Sequence, residues 1–140
     1  MLGIHTGGAW LASHLHAMLG IRAPLGTMDI SFYRDDFGER GLHPQTRRSR
    51  LPFEVEGAHI NIVDDVLFTG RTVRAALNEL FDYGRPACVE LAVLVDRGGR
   101  QLPVAPTYCA YTFEHPLPSK ERLRLERKED GSLDLRRMYA

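Results

Sequence analysis

The chain has 140 residues, 44% of them hydrophobic and 26% charged, and its eighteen basic residues balance eighteen acidic ones. That length and composition suit a single domain with one core. The neutral balance gives no general argument for nucleic acid or a membrane as partner, and no apolar run approaches the roughly 18 residues that span a bilayer. The N-terminus lacks the basic region and long apolar stretch of a secretion signal, so a cytoplasmic location is expected. Cys88 and Cys109 sit in apolar, strand-like surroundings without CxxC spacing or a nearby His cluster. They are expected to be buried free thiols.

Leu2-Gly3-Ile4 is short and apolar, Thr6-Gly7-Gly8 follows, and a helical pattern then runs through Leu11, Leu15, Met18 and Leu19. Residues 21–30 have extended character, broken by Pro24 and Gly26. From residue 34 to 52 the periodicity disappears, leaving Arg34, Asp35, Asp36, Arg40, Arg47, Arg48 and Arg50 with Gly38, Gly41 and Pro44. A polar loop of this length in a small domain is usually functional or disordered. Ile60, Ile62, Val63 and Val66 read as a buried strand, and residues 72–83 as a helix with Val73, Leu77, Leu80 and Phe81 on one stripe. Gly84-Arg85-Pro86 ends that helix. Residues 89–95 read as a second buried strand leading into Asp96-Arg97-Gly98-Gly99-Arg100. Residues 107–113 form another strand. Leu123 and Leu125 alternate with arginines, and Glu129-Asp130-Gly131-Ser132 is a turn before Leu133 and Leu135, which predicts a terminal hairpin. Alternating strands and helices predict an α/β fold with a mainly parallel sheet. Ligands then gather beyond the carboxyl ends of its strands.

The chemistry concentrates in Ile60-Asn61-Ile62-Val63-Asp64-Asp65-Val66-Leu67-Phe68-Thr69-Gly70-Arg71-Thr72. A buried strand runs into two adjacent acids, then into a Thr-Gly-x-Thr turn opening a helix. Backbone N–H groups and hydroxyls at a helix N-terminus suit a phosphate. Two carboxylates suit the hydroxyls of a ribose and can hold Mg²⁺ through water. One ligand carrying both a sugar and a phosphate explains both halves. The alternative is a buried strand with an acidic end and a threonine N-cap.

This segment resembles the phosphoribosyl-pyrophosphate signature of the type I phosphoribosyltransferases. The wider chain resembles their PyrR family, pyrimidine operon attenuators that are also uracil phosphoribosyltransferases. Gly3-Ile4-His5-Thr6, Asp29-Ile30, Tyr33-Arg34-Asp35-Asp36, Val63 to Arg74, Gly84-Arg85-Pro86 and Leu91 to Gly98 carry the likeness. It implies the type I phosphoribosyltransferase fold: a mainly parallel central sheet flanked by helices, a mobile lid loop and a C-terminal hairpin. It also implies conversion of uracil and phosphoribosyl pyrophosphate to UMP and pyrophosphate with Mg²⁺. In that scheme Asp64 and Asp65 contact the ribose hydroxyls and the metal, and the stretch Val63, Asp64, Asp65, Val66, Leu67, Phe68, Thr69, Gly70, Arg71 and Thr72 binds substrate. Within it, residues 69–72 cradle the 5-phosphate. Thr6 and Gly7 belong to the pyrophosphate loop, Arg34 begins the lid, and Val95, Asp96 and Arg97 lie beside the base. Phe68 stands where purine-type relatives usually carry an aspartate, which favours a pyrimidine. A homodimer or higher oligomer is implied. A non-catalytic, nucleotide-sensing attenuator of pyrimidine operon mRNA is the alternative.

Three departures from the family's pattern stand out. The family usually has a helix and a strand before the Gly-Ile-x-Thr loop, so the single domain over 1–140 is expected to lack them. Gly7 replaces a usual arginine in the pyrophosphate loop, and catalysis then weakens unless another arginine substitutes. Gly99 replaces a histidine common in the regulators. Arg97, Arg100 and His14 or His16 are the candidates for an RNA-binding surface. Trp10 is expected in core or dimer packing, His5 adjoins the anion loop, and Arg122, Arg124, Arg127, Arg136 and Arg137 are expected on a solvated hairpin face.

Overall fold

Apolar runs rich in Ile and Val form the long central strands, and the helices among the described residues lie between strands. The computed structural model describes residues 1–30 and 49–139. Most of the arginine-rich segment expected to form a lid, Arg34 included, falls outside the described residues. In chain order the elements are β1 (Leu2–Ile4), α1 (Gly7–Met18), β2 (Gly26–Met28), β3 (His59–Leu67), α2 (Arg71–Asp82), β4 (Cys88–Asp96), β5 (Tyr108–Thr112), β6 (Glu121–Arg127) and β7 (Leu133–Tyr139). The first five strands form one sheet in the order β2-β1-β3-β4-β5, with every pairing parallel. β6 and β7 pair antiparallel, Leu125 opposite Leu135. The turn between them is closed by Lys128 N–H on the Ser132 carbonyl at 2.8 Å. This is the expected α/β architecture with its terminal hairpin.

Strand alternation divides the core between the two faces of the sheet. One face carries Leu2, Ile4, Ile60, Ile62, Leu91 and Val93, packed against Val73, Ala76 and Leu80 of α2. Val73, Ala76, Leu77 and Leu80 recur at helical spacing, so α2 presents one apolar stripe to the sheet. The other face receives α1. A Cβ on Gly3 would lie 2.7 Å from the Ala9 Cα and 2.8 Å from the Ala12 Cβ, so the helix rests directly on the β1 backbone.

That close approach changes the expected face of α1. The buried residues are Gly8, Ala9 and Ala12, whereas Met18 and Leu19 are 80% and 66% exposed. Leucine periodicity pointed to a bulky stripe. The glycine beneath the helix selects small residues instead, because only they let the two backbones meet. The cysteines also depart from expectation: Cys88 is exposed at the start of β4 and Cys109 is partly exposed on β5, both as free thiols. β5 is one of the two edge strands among the described residues and is covered less than its apolar sequence suggested.

Replacing Gly3 with alanine should overpack this contact and lower stability by about 1–3 kcal/mol. Urea unfolding followed by circular dichroism measures it; an unchanged midpoint would show that α1 does not depend on the contact.

Candidate functional site

Parallel strands all end at one edge of the sheet, and there the loops after β1, β3 and β4 converge. Asp64 and Asp65 lie within β3 rather than beyond its end: Asp64 still pairs with Val93, and the strand continues to Leu67 opposite Asp96. The Asp65 N–H donates to Asp64 Oδ1 at 2.9 Å, and the Val66 N–H to Asp65 Oδ1 at 2.8 Å. These bonds hold each carboxylate against the backbone that follows it. Asp64 is only 7% exposed.

The loop after β1 closes over them. Its His5–Thr6 peptide is cis. Gly7 lies so near Asp65 that a Cβ there would fall 2.3 Å from Oδ2, and a Cβ on Gly8 would fall 2.5 Å from the Val63 carbonyl oxygen. Glycine is required at both positions by these approaches. Thr6, Gly7, Asp64 and Asp65 line a cleft of ≈ 740 Å³ together with His5, Trp10 and Leu123, Arg124, Leu125, Glu126 and Arg127 of β6.

On its other side Asp64 borders a hollow of ≈ 230 Å³ lined by Ile30, Val66, Leu67, Phe68, Thr69, Gly70, Arg71, Thr72 and Val73. Gly70 caps α2 with φ 96°, a left-handed conformation, and a Cβ there would crowd Leu102 and Val104 at 3.3 Å. Thr69 Oγ1 accepts the Arg71 N–H at 3.2 Å. The first turn of a helix leaves N–H groups without intrahelical partners, and here they border the hollow. Its size, its amides and its threonine hydroxyls suit a phosphate.

The loop after β4 is built around two arginines. Arg100 donates to the Phe68 carbonyl at 2.7 Å, the Val104 carbonyl at 2.8 Å and Asp96 Oδ2 at 2.6 Å. Burial pushes the Asp96 carboxyl up, but the hydrogen bond and charge of Arg100, with the Gly98 N–H, outweigh it and hold it below the usual range. Arg97 is 4% exposed. Its guanidinium lies 3.9 Å above the Phe68 ring and donates to the carbonyls of Glu121 at 2.9 Å and Pro118 at 3.0 Å. Burial lowers its pKa, against the opposing charge of Glu121. Phe68 is thus clasped between Arg97 and Gly99, where a Cβ would come within 2.6 Å of the ring.

These bonds correct the reading of Arg97 and Arg100 as RNA contacts, because both guanidinium groups are engaged with internal carbonyls and Asp96. Nor are the hairpin arginines uniformly solvated. Arg137 pairs with Glu121, Arg136 pairs with Glu126 at 3.1 Å, and Arg127 lies 4.9 Å over the Trp10 ring. Sequence reasoning missed that β6 walls the acidic cleft. Its only signal was arginine alternating with leucine, which a surface hairpin shares. Among the described residues no cluster of three or more His, Cys, Asp or Glu can hold a metal. Two carboxylates alone fit Mg²⁺, which keeps most of its waters and completes its shell with substrate phosphates.

The phosphoribosyl transferase domain family matches residues 1–115. The chain belongs to that family. PyrR proteins are among its relatives within that family, and the chain is one of this group. It is 58% identical over 124 residues to the bifunctional protein PyrR of Pseudomonas entomophila, covering 89% of this chain and 71% of that protein. It is 55% identical over 134 residues to the PyrR of Pseudomonas syringae pv. syringae, covering 96% and 78%. The fold is also that of a hypoxanthine phosphoribosyltransferase from Staphylococcus aureus, with TM-score 0.60, 21% identity, 80% of this chain and 60% of that one. That likeness supports the phosphoribosyltransferase fold and carries no substrate. The hairpin β6–β7 lies beyond the family match.

Arg100→Met should cost about 2 kcal/mol at neutral pH by leaving a largely buried carboxylate unpaired. Because the folded pKa of Asp96 is depressed, the pair's contribution is full above the ordinary aspartate range and lost as pH falls through the folded value. The melting-temperature gap between wild type and variant should therefore narrow below about pH 4. A gap that widens in acid would contradict this pairing.

Proposed function

We propose that this chain converts uracil and phosphoribosyl pyrophosphate to UMP and pyrophosphate. The observation that carries the proposal is that Asp64 forms the partition between two recesses. One is built for a phosphate and the other adjoins the loop of Thr6 and Gly7. Phosphoribosyl pyrophosphate has the same order: 5-phosphate, ribose, pyrophosphate. The hollow of residues 69–72 takes the 5-phosphate, the two carboxylates take the 2- and 3-hydroxyls, and the cleft takes the pyrophosphate.

In the reaction uracil N1 bonds to the anomeric carbon as the bond to pyrophosphate breaks, and the N1 proton is released to water or to the departing pyrophosphate. Positive charge grows on the sugar ring and negative charge on the leaving group. Asp64 and Asp65 lie beside the developing cation. Asp64 and Asp65 would hold Mg²⁺ through water, and the ion would supply positive charge to the leaving pyrophosphate. Exclusion of water, which would otherwise hydrolyse the activated sugar, is the role assigned to the segment from Arg34, which lies outside the described residues. Val95, Asp96 and Arg97 flank the base. Phe68, wedged between Arg97 and Gly99, narrows that side and lacks the carboxylate a purine would use.

The relatives are named bifunctional, which supports a second role for the same site as a UMP sensor that regulates a pyrimidine operon through its mRNA. The RNA contacts of that role fall to cations other than Arg97 and Arg100. A homo-oligomer in the cytoplasm is the setting we infer for both roles.

Uracil-dependent pyrophosphate release should fall by at least about 10² in Asp64→Asn/Asp65→Asn, with the variant still folded by circular dichroism. Full activity in the double variant would remove the acids from the reaction. Hypoxanthine and guanine should turn over at least about tenfold more slowly than uracil, a discrimination of about 1.4 kcal/mol; equal rates would refute the pyrimidine assignment. If release is absent while UMP binds, the sensor role alone stands.

A further inference from the structure

We propose that β6 supplies, through Arg124 and Arg127, the positive charge for the pyrophosphate end of the cleft. This rests on the reading above and deepens it. The loop at that end has no arginine or lysine of its own. Gly7 has no room for one, since a Cβ would fall 2.3 Å from Asp65 Oδ2 and displace the carboxylate. A highly charged pyrophosphate leaving group beside two carboxylates needs cations. Among the described residues, the arginines lining the cleft are Arg124 and Arg127.

The hairpin's charge pairing leaves these two available. Arg137 is held by Glu121, and Arg136 by Glu126 and Asp134. Arg124 stands opposite Arg136 in the ladder and has no carboxylate partner among the described residues. A cross-strand pair of like charges is unfavourable, which leaves Arg124 ready to accept an anion. Arg127 lies over the Trp10 ring of α1 and holds the strand across the cleft from Gly7. Leu125, buried between them at 6% exposure, fixes the strand from beneath. Both arginines thereby line the cleft that Asp64 and Asp65 border.

Titration calorimetry with Mg²⁺, using inorganic pyrophosphate and UMP in separate runs, tests the assignment. UMP carries the 5-phosphate and ribose but nothing at the pyrophosphate end. Arg124→Met/Arg127→Met should weaken pyrophosphate about tenfold or more, at 1.4 kcal/mol for each factor of ten, and leave UMP within about twofold. The KM for phosphoribosyl pyrophosphate should rise while that for uracil holds. Arg124→Lys/Arg127→Lys should keep most of the pyrophosphate affinity, because charge rather than shape is required. Arg124→Met alone, at an exposed side chain, guards against loss of the hairpin's docking on Trp10 and should weaken pyrophosphate measurably. Pyrophosphate affinity unchanged in the double variant, with UMP still bound, would overturn the role of β6 and leave the enzyme reading intact. Wild-type protein that binds UMP but not pyrophosphate would also overturn it. Protein that binds neither would overturn both.

Discussion

The site depends on one close approach, that of the start of α1 to the ends of β1 and β3. Gly3 lets the helix rest on the sheet, and Gly8 lets the preceding loop touch the Val63 carbonyl. A side chain at either position would lift the helix. The loop of Thr6 and Gly7 would then leave Asp65, and the cleft would open on the wrong side of the acids. The small buried face of α1 follows from the same constraint. The helix gains little apolar area there and instead gains proximity to the sheet and to its two carboxylates.

A second constraint acts from the far side of the sheet's edge. Arg100 ties Asp96 to the Phe68 carbonyl, so the loop after β4 and the turn after β3 move as one unit. Arg97 extends the unit to the hairpin by bonding the carbonyls of Pro118 and Glu121. Buried arginines that satisfy several carbonyls act as brackets, because leaving any one of those groups unpaired costs free energy. The turn after β3, the loop after β4 and the hairpin are thereby held in register.

Much of this was legible in the sequence. The alternation of strands and helices, the stripe of Val73, Leu77 and Leu80, and the turn at Asp130-Gly131 each carry a local signal with a local cause. So does the chemistry of residues 63–72, since a helix start after a buried strand is set by neighbouring residues. Other features depend on contacts distant in sequence. No local pattern tells that Gly3 lies under Ala9 and Ala12, or that Arg97 reaches residues 117–121. The exposure of Cys88 and Tyr108 depends on where the sheet ends, which periodicity does not register. The hairpin arginines looked like a solvated face because period-2 alternation says which residues share a side, not what stands opposite. The arginine-rich segment around Arg34 lies outside the described residues.

The central claim is that residues 64–72 form one binding site for a ribose 5-phosphate group. Its most direct test is a titration of the ¹⁵N-labelled chain with UMP, following backbone amide shifts by NMR. The largest shifts should fall on Gly70, Arg71 and Thr72, with Asp64, Asp65 and the base-flanking residues 95–97 next and the exposed face of β5 near zero. Shifts centred on that face or on the hairpin turn, with the amides of residues 69–72 unmoved, would contradict it.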